Sequence, residues 1–89
     1  MRLSSEERMR AAVAALMQLT GESQADLATA LGVSQAQVSR RQTGRAAWSL
    51  DDCDRLAVHY GIEVIDLFRG PTHACECLPL ARRWSAQGQ

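Results

Sequence analysis

Ser23 to Arg45 reads SQADLATALGVSQAQVSRRQTGR, and this stretch decides the fold. Ser23 has the character of a helix N-cap, with Asp26 three residues on to answer it, and Leu27, Ala28 and Leu31 recur at the spacing of one helix face. Gly32 supplies the left-handed residue that ends such a helix. Ser34 then opens another, with Gln37 at capping-box distance, and the pattern runs to about Gln42 before Thr43-Gly44. Two short helices separated by about three residues are therefore expected, crossing closely enough that Ala28 must be small.

The same signals recur on both sides. Upstream, Ser4 with Glu7 forms a capping pair, and Glu6 and Glu7 lie where the helix dipole is positive. Met9, Ala12, Val13, Leu16 and Leu19 follow at helical spacing until Thr20-Gly21. Downstream, Ser49 with Asp52 opens a fourth helix whose Leu50, Cys53, Leu56, Ala57 and Tyr60 share a face before Gly61. A short fifth helix spans about Val64 to Phe68 and ends at Gly70-Pro71. From Thr72 to Gln89, Pro, Gly, Ser and charges mix without sustained periodicity. The expectation is an all-α protein: a compact five-helix domain over residues 1–70 and a C-terminal tail over 71–89, either disordered or dimerising.

Composition agrees. The apolar fraction is 46%, carried by Ala, Leu and Val with four aromatics, which favours packed helices over sheets. Eighty-nine residues suffice for one domain. No apolar run is long enough to span a bilayer, and Glu6, Glu7, Arg8 and Arg10 interrupt any hydrophobic signal core, so the chain reads as soluble and cytoplasmic. Three cysteines, an odd number, do not suggest a disulfide framework. The formal net charge is zero, yet no acidic residue stands between Asp26 and Asp51 while Arg40, Arg41 and Arg45 do. Charge is segregated along the chain, and segregation matters more to a partner than the sum.

The stretch at 23–45, continued by WSLDDCDRLAVHYGIEVIDLF at 48–68, resembles the lambda-repressor-like helix-turn-helix family, the Cro type. Gln24, Ala28, Gly32 and the apolar Leu27, Leu31, Val33 and Val38 carry the likeness. The resemblance implies a five-helix bundle in which the helix from about 34 to 42 enters the major groove of double-stranded DNA. It aligns Gln35 and Arg40 with base-reading positions. Ala36 and Ser39 share their exposed face, and this set is chemically able to recognise bases: Gln pairs with adenine, Arg with guanine, and Ala meets a thymine methyl. Gln24 is implied to hold phosphate and brace Gln35, and Arg45 to touch the backbone. Ser34, Arg41 and Thr43 complete the expected phosphate-binding set. Arg41 departs from the pattern, standing where the family places an apolar residue, its stem able to cover the core edge. Glu is common where Gln42 stands. The family also implies a homodimer on a two-fold related operator, acting as a transcriptional repressor.

Other chemistry finds less support. His73, Cys75 and Cys77 are separated by single residues, a poor bite for zinc, so no metal site is expected. His59 suits the negative end of the fourth helix, and Asp51, Asp52 and Asp54 the positive end. Trp48, just before a helix, reads as a core plug. Nothing resembles a catalytic triad or a phosphate-binding loop, so neither an enzyme nor a cofactor is expected, nor a small-molecule substrate or a membrane partner. The rival reading is a helical interaction module or antitoxin-like partner. Leu78, Leu80 and Trp84 would then hold another protein, and in the repressor reading they would hold a second copy.

Overall fold

The computed structural model describes residues 3–83. Six α-helices follow in order: α1 (Ser5–Thr20), α2 (Gln24–Leu31), α3 (Gln35–Gln42), α4 (Leu50–Tyr60), α5 (Val64–Phe68) and α6 (Pro71–Cys77). A 3-10 turn closes the described chain at Leu80–Arg82. No strand occurs among the described residues.

The helix starts are set by reciprocal caps. Ser4, Ser23, Ser34 and Ser49 each accept the backbone N–H three residues on, and Glu7, Asp26, Gln37 and Asp52 reach back to the serine N–H. Each box satisfies two N–H groups that the first helical turn leaves without partners. α1, α2 and α4 end on left-handed glycines.

α1 runs through the core and buries Met9, Ala12, Val13 and Leu16. Against this stripe pack Leu27, Ala28 and Leu31 of α2, Val38 of α3, Leu56, Ala57 and Tyr60 of α4, and Leu67 of α5. Leu19 and Val33 are partly buried at its margin. Leu50, expected on the inner face of α4, is 78% exposed, whereas Asp52 is 4% exposed. As the first residue of its helix Leu50 points away from the bundle, and the capping geometry turns Asp52 inward instead.

The largest departure from expectation is the segment after Gly70. It is helical, and α6 packs against α1. Pro71 sits in the first turn, where its missing N–H costs nothing and its fixed φ suits a helix. Gly70 (φ 106) turns the chain back, and Ala74 (0% exposed) and Leu78 (3% exposed) complete the core. The described part of the region read as a tail is thus structural. Leu78 is unavailable to a partner, Leu80 remains 82% exposed, and Trp84 lies outside the described residues.

Candidate nucleic-acid interface

α3 presents one polar face because only one of its residues, Val38, is fully inside. Val38 pins the helix to the core at 0% exposure, and α2 supports it from below with Ala28 at 4%. The turn between them is short and fixed. Gly32 (φ 72) donates to the Thr29 carbonyl at 3.2 Å, and Val33 donates to the Ala28 carbonyl at 3.0 Å. A Cβ on Gly32 would meet nothing within 4 Å, so the glycine is required for its backbone angle alone.

Gln35, Ala36 and Arg40 are exposed, and Ser39 is half-buried beside them. Positions 35, 36, 39 and 40 lie on one side of a helix, so all four expected base readers share a surface. Gln24 and Gln35 are the first residues of α2 and α3. No hydrogen bond joins Gln24 to Gln35 among the described residues. Both glutamines stand at helix N-termini, which attract phosphate.

The phosphate set divides. Ser34 Oγ accepts the Gln37 N–H at 3.1 Å, leaving its own proton free to donate. Thr43 is exposed, but its hydroxyl donates back to the carbonyls of Ser39 (3.0 Å) and Arg40 (3.2 Å), so its proton is already used. Arg45 is exposed on the loop after Gly44 (φ 83), where its N–H is held by the Arg40 carbonyl at 2.9 Å.

Arg41 is occupied elsewhere. Its Nε lies 3.1 Å from Asp52 Oδ2 without hydrogen-bond alignment, and its side chain is 18% exposed. One terminal nitrogen donates to the Gln37 carbonyl at 3.2 Å, and the guanidinium carbon lies 5.6 Å from the centre of the Trp48 ring. A charge in an apolar position is thereby neutralised by a buried carboxylate on α4. Trp48 is partly buried against the core, as expected, and its indole N–H donates to Gln42 Oε1 at 2.9 Å. Gln42 Nε2 donates in turn to the Arg10 carbonyl at 3.2 Å. The Gln42 amide both gives and receives, which a Glu carboxylate cannot do.

Arg10 was not singled out by the sequence. Its guanidinium lies against Gly44, so that a Cβ there would come within 3.4 Å of Cζ. It joins Arg40 and Arg45 near the C-terminal end of α3, and no local signal on α1 announces that proximity.

His59 does more than suit a helix end. Its Nε2 lies 2.8 Å from Glu22 Oε2, and the Tyr60 hydroxyl bonds the other Glu22 oxygen. Burial, and next the Glu22 bond, push the phenol far above its ordinary range, so Tyr60 is a neutral donor tying α4 to the α1–α2 link. Arg82 donates to the His59 carbonyl at 2.6 Å, anchoring the 3-10 turn to α4. Cys53 is buried at 1% exposure, and burial raises its thiol, which makes it a core residue.

No described helix is long and apolar enough to cross a membrane. No curated protein and no solved structure matches the chain. The helix-turn-helix family matches over residues 13–67, more than half of the sequence, from the middle of α1 to the buried Leu67 of α5. With a capped outward-facing helix held on α2 across a glycine turn, the chain belongs to the lambda-repressor-like helix-turn-helix family of DNA-binding transcription regulators.

Proposed function

We propose that the protein is a sequence-specific double-stranded DNA-binding repressor that occupies a two-fold related operator as a homodimer. One observation carries the reading: Gln35, Ala36, Ser39 and Arg40 share the outer face of α3, with Arg10 and Arg45 beside its far end and no acidic residue in the chain from 27 to 50. Gln35 and Arg40 read base edges. Ser34 and Arg45 hold the backbone, with Gln24 at the N-terminus of α2, and Arg10 is added to that set. Arg41 is withdrawn from it by the Asp52 pair, and Thr43 engages phosphate only by giving up its carbonyl partners.

A single α3 reads only a few base pairs, and pairing two copies lengthens the site, with half-sites about 34 Å apart. Val58, Ile65 and Leu80 leave apolar side chains at 82%, 60% and 82% exposure, material for a contact between copies. Repression by occupancy needs no more than a bound protein in the path of polymerase. Random-site selection on duplex DNA, followed by sequencing, tests the reading. The expected result is an enriched inverted repeat whose complex weakens as salt rises. Failure to enrich any sequence would favour an interaction module that binds protein instead.

A further inference from the structure

A second cluster of reactive side chains lies in the α5–α6 corner, where α6 belongs to the stretch that the sequence read as a tail. Three side chains with different metal-binding chemistry converge there. Asp66 of α5, His73 of α6 and Cys77 at the end of α6 place a carboxylate oxygen, an imidazole nitrogen and a thiol sulfur within 4.8 Å of one another. His73 Nε2 is the common point, 2.8 Å from Asp66 Oδ1 and 3.4 Å from Cys77 Sγ.

We infer that Asp66, His73 and Cys77 form a site for a zinc-like divalent transition metal, three protein ligands with a fourth position left to water. Three features of the geometry support this. His73 and Cys77 are four residues apart on one helix, so both side chains leave the same face, the bite that structural zinc sites use when two ligands come from a helix. Tetrahedral coordination with ordinary bond lengths places nitrogen and sulfur about 3.6 Å apart, and nitrogen and oxygen about 3.3 Å. The first spacing is nearly present already. The second requires the Asp66–His73 pair to open by about 0.5 Å, within reach of a side-chain rotation.

The surroundings also fit. Asp66 Oδ2 accepts the Glu63 N–H at 3.0 Å, which fixes the carboxylate and leaves Oδ1 to face His73. The side chains of Asp66 and His73 are 16% and 33% exposed, enough for an ion to enter and for water to remain bound. Thiolate plus carboxylate carries two negative charges, which a divalent ion neutralises. Sulfur and imidazole select zinc-like ions over magnesium or calcium. Binding displaces the thiol proton of Cys77, so about one proton is released per ion. With the ion in place, the proton that Nε2 donates to Asp66 Oδ1 moves to Nδ1, and Nε2 offers its lone pair to the metal.

Cys75, the third member of the sequence cluster, is not a ligand. It lines a groove between α6 and α1, together with Ala15, Gln18 and Leu19. The spacing argument against metal thus concerned the wrong pair. The i, i+4 pair becomes visible only once 71–77 is known to be a helix, and Asp66 only once α5 and α6 are folded together.

The test is titration of the full chain with cobalt(II) in a non-thiol reductant, followed by competition with zinc. The expected result is one ion per chain, a thiolate-to-cobalt charge-transfer band and the intense visible bands of a tetrahedral site, all displaced by zinc. Cys77→Ser should abolish the charge-transfer band. His73→Ala should weaken binding at least about tenfold, no less than loss of a supporting residue costs a metal site. Cys75→Ser should change neither. Thermal melts without metal show that each variant is folded. Absence of the band in the parent chain, or its loss in Cys75→Ser with retention in Cys77→Ser, overturns the site. Because no DNA is present, the outcome does not depend on the operator reading.

Discussion

Replacing Arg41 by Met separates a residue that holds the fold from one that holds DNA. The Asp52 carboxylate is 6% exposed, and Arg41 is its nearest cation at 3.1 Å, with Arg55 at 3.9 Å and 57% exposed. Leaving a buried charge unpaired typically costs about 3–5 kcal/mol. Here Asp52 keeps the Ser49 N–H at 3.1 Å and the positive end of α4, so the expected cost is nearer about 2 kcal/mol. For a domain of this size that lowers the melting temperature by roughly 10 °C. The double replacement R41M/D52Q removes both charges and keeps a Gln at the third helical position to cap Ser49, and it should recover all but about 1 kcal/mol. Salt dependence supplies the other half of the assay. Each phosphate neutralised contributes about 0.9 to the slope of log affinity against log salt, so Arg41→Met should leave the slope unchanged and Arg45→Ala should reduce it by about one per bound copy. If Arg41→Met lowers the slope and spares the melting temperature, Arg41 is a phosphate ligand and the ion-pair argument fails.

Gln35→Ala and Arg40→Ala should each cost about 1–3 kcal/mol on the selected operator and much less on scrambled duplex, whereas Arg10→Ala and Arg45→Ala should weaken both alike; gel shifts on the two duplexes decide this. Leu78→Ala should destabilise the fold by about 2–4 kcal/mol in urea, because it empties a core position, and truncation after Arg69 should unfold the protein rather than merely release a dimer. Glu7 and Asp26 are held below their ordinary values chiefly by the backbone N–H groups of Ser4 and Ser23. Depressed carboxylates stabilise above the unfolded value and lose that contribution as pH falls through the folded one, so melting temperature should drop below about pH 4, less steeply in Glu7→Gln. Native-state thiol labelling should modify Cys75 and Cys77 and spare Cys53, and rapid reaction of Cys53 would mean that the core around Met9 opens.

Four capped helices were legible because serine and its partner three residues on signal a start wherever they occur, and glycines mark most of the ends. α5 was legible as a short stretch closed by Gly70-Pro71. α6 was not, for a physical reason. Its buried points are the small Ala74 inside the helix and Leu78 just beyond its end, four residues apart, so no apolar stripe is visible. Gly70-Pro71 reads equally well as a terminator and as the opening of a new helix, and only the available surface of α1 selects the second. At the candidate interface, the exposed face of α3 followed from its period. The exclusion of Arg41 did not, since it depends on Asp52 turning inward across a distance that no local pattern records.

Zero net charge and a positive reading surface are reconciled by where the structure spends its charges. Among the ten acidic residues, Glu7, Asp26, Asp52 and Asp66 turn back to backbone N–H groups at helix starts, and Glu22 accepts from Tyr60 and pairs with His59. Several arginines are likewise committed as clamps on carbonyls. Arg8 holds Phe68, Arg82 holds His59, and Arg83 holds Cys75, while Arg41 is matched to Asp52. Arg40 and Arg45 keep exposed side chains, and Arg10 stacks on Gly44 beside them. Among the described residues the only capping box without a carboxylate is that of α3, where Gln37 does the work of an acid without placing negative charge at the end of the helix proposed to enter the groove. Replacing Gln37 by Glu would preserve the cap and set a carboxylate beside the DNA backbone. It should leave the stability within about 0.5 kcal/mol of the parent and weaken operator and scrambled duplex together, most at low salt. Unchanged affinity at low salt would show that the N-terminus of α3 does not approach DNA, and the orientation proposed for the reading helix would have to be abandoned.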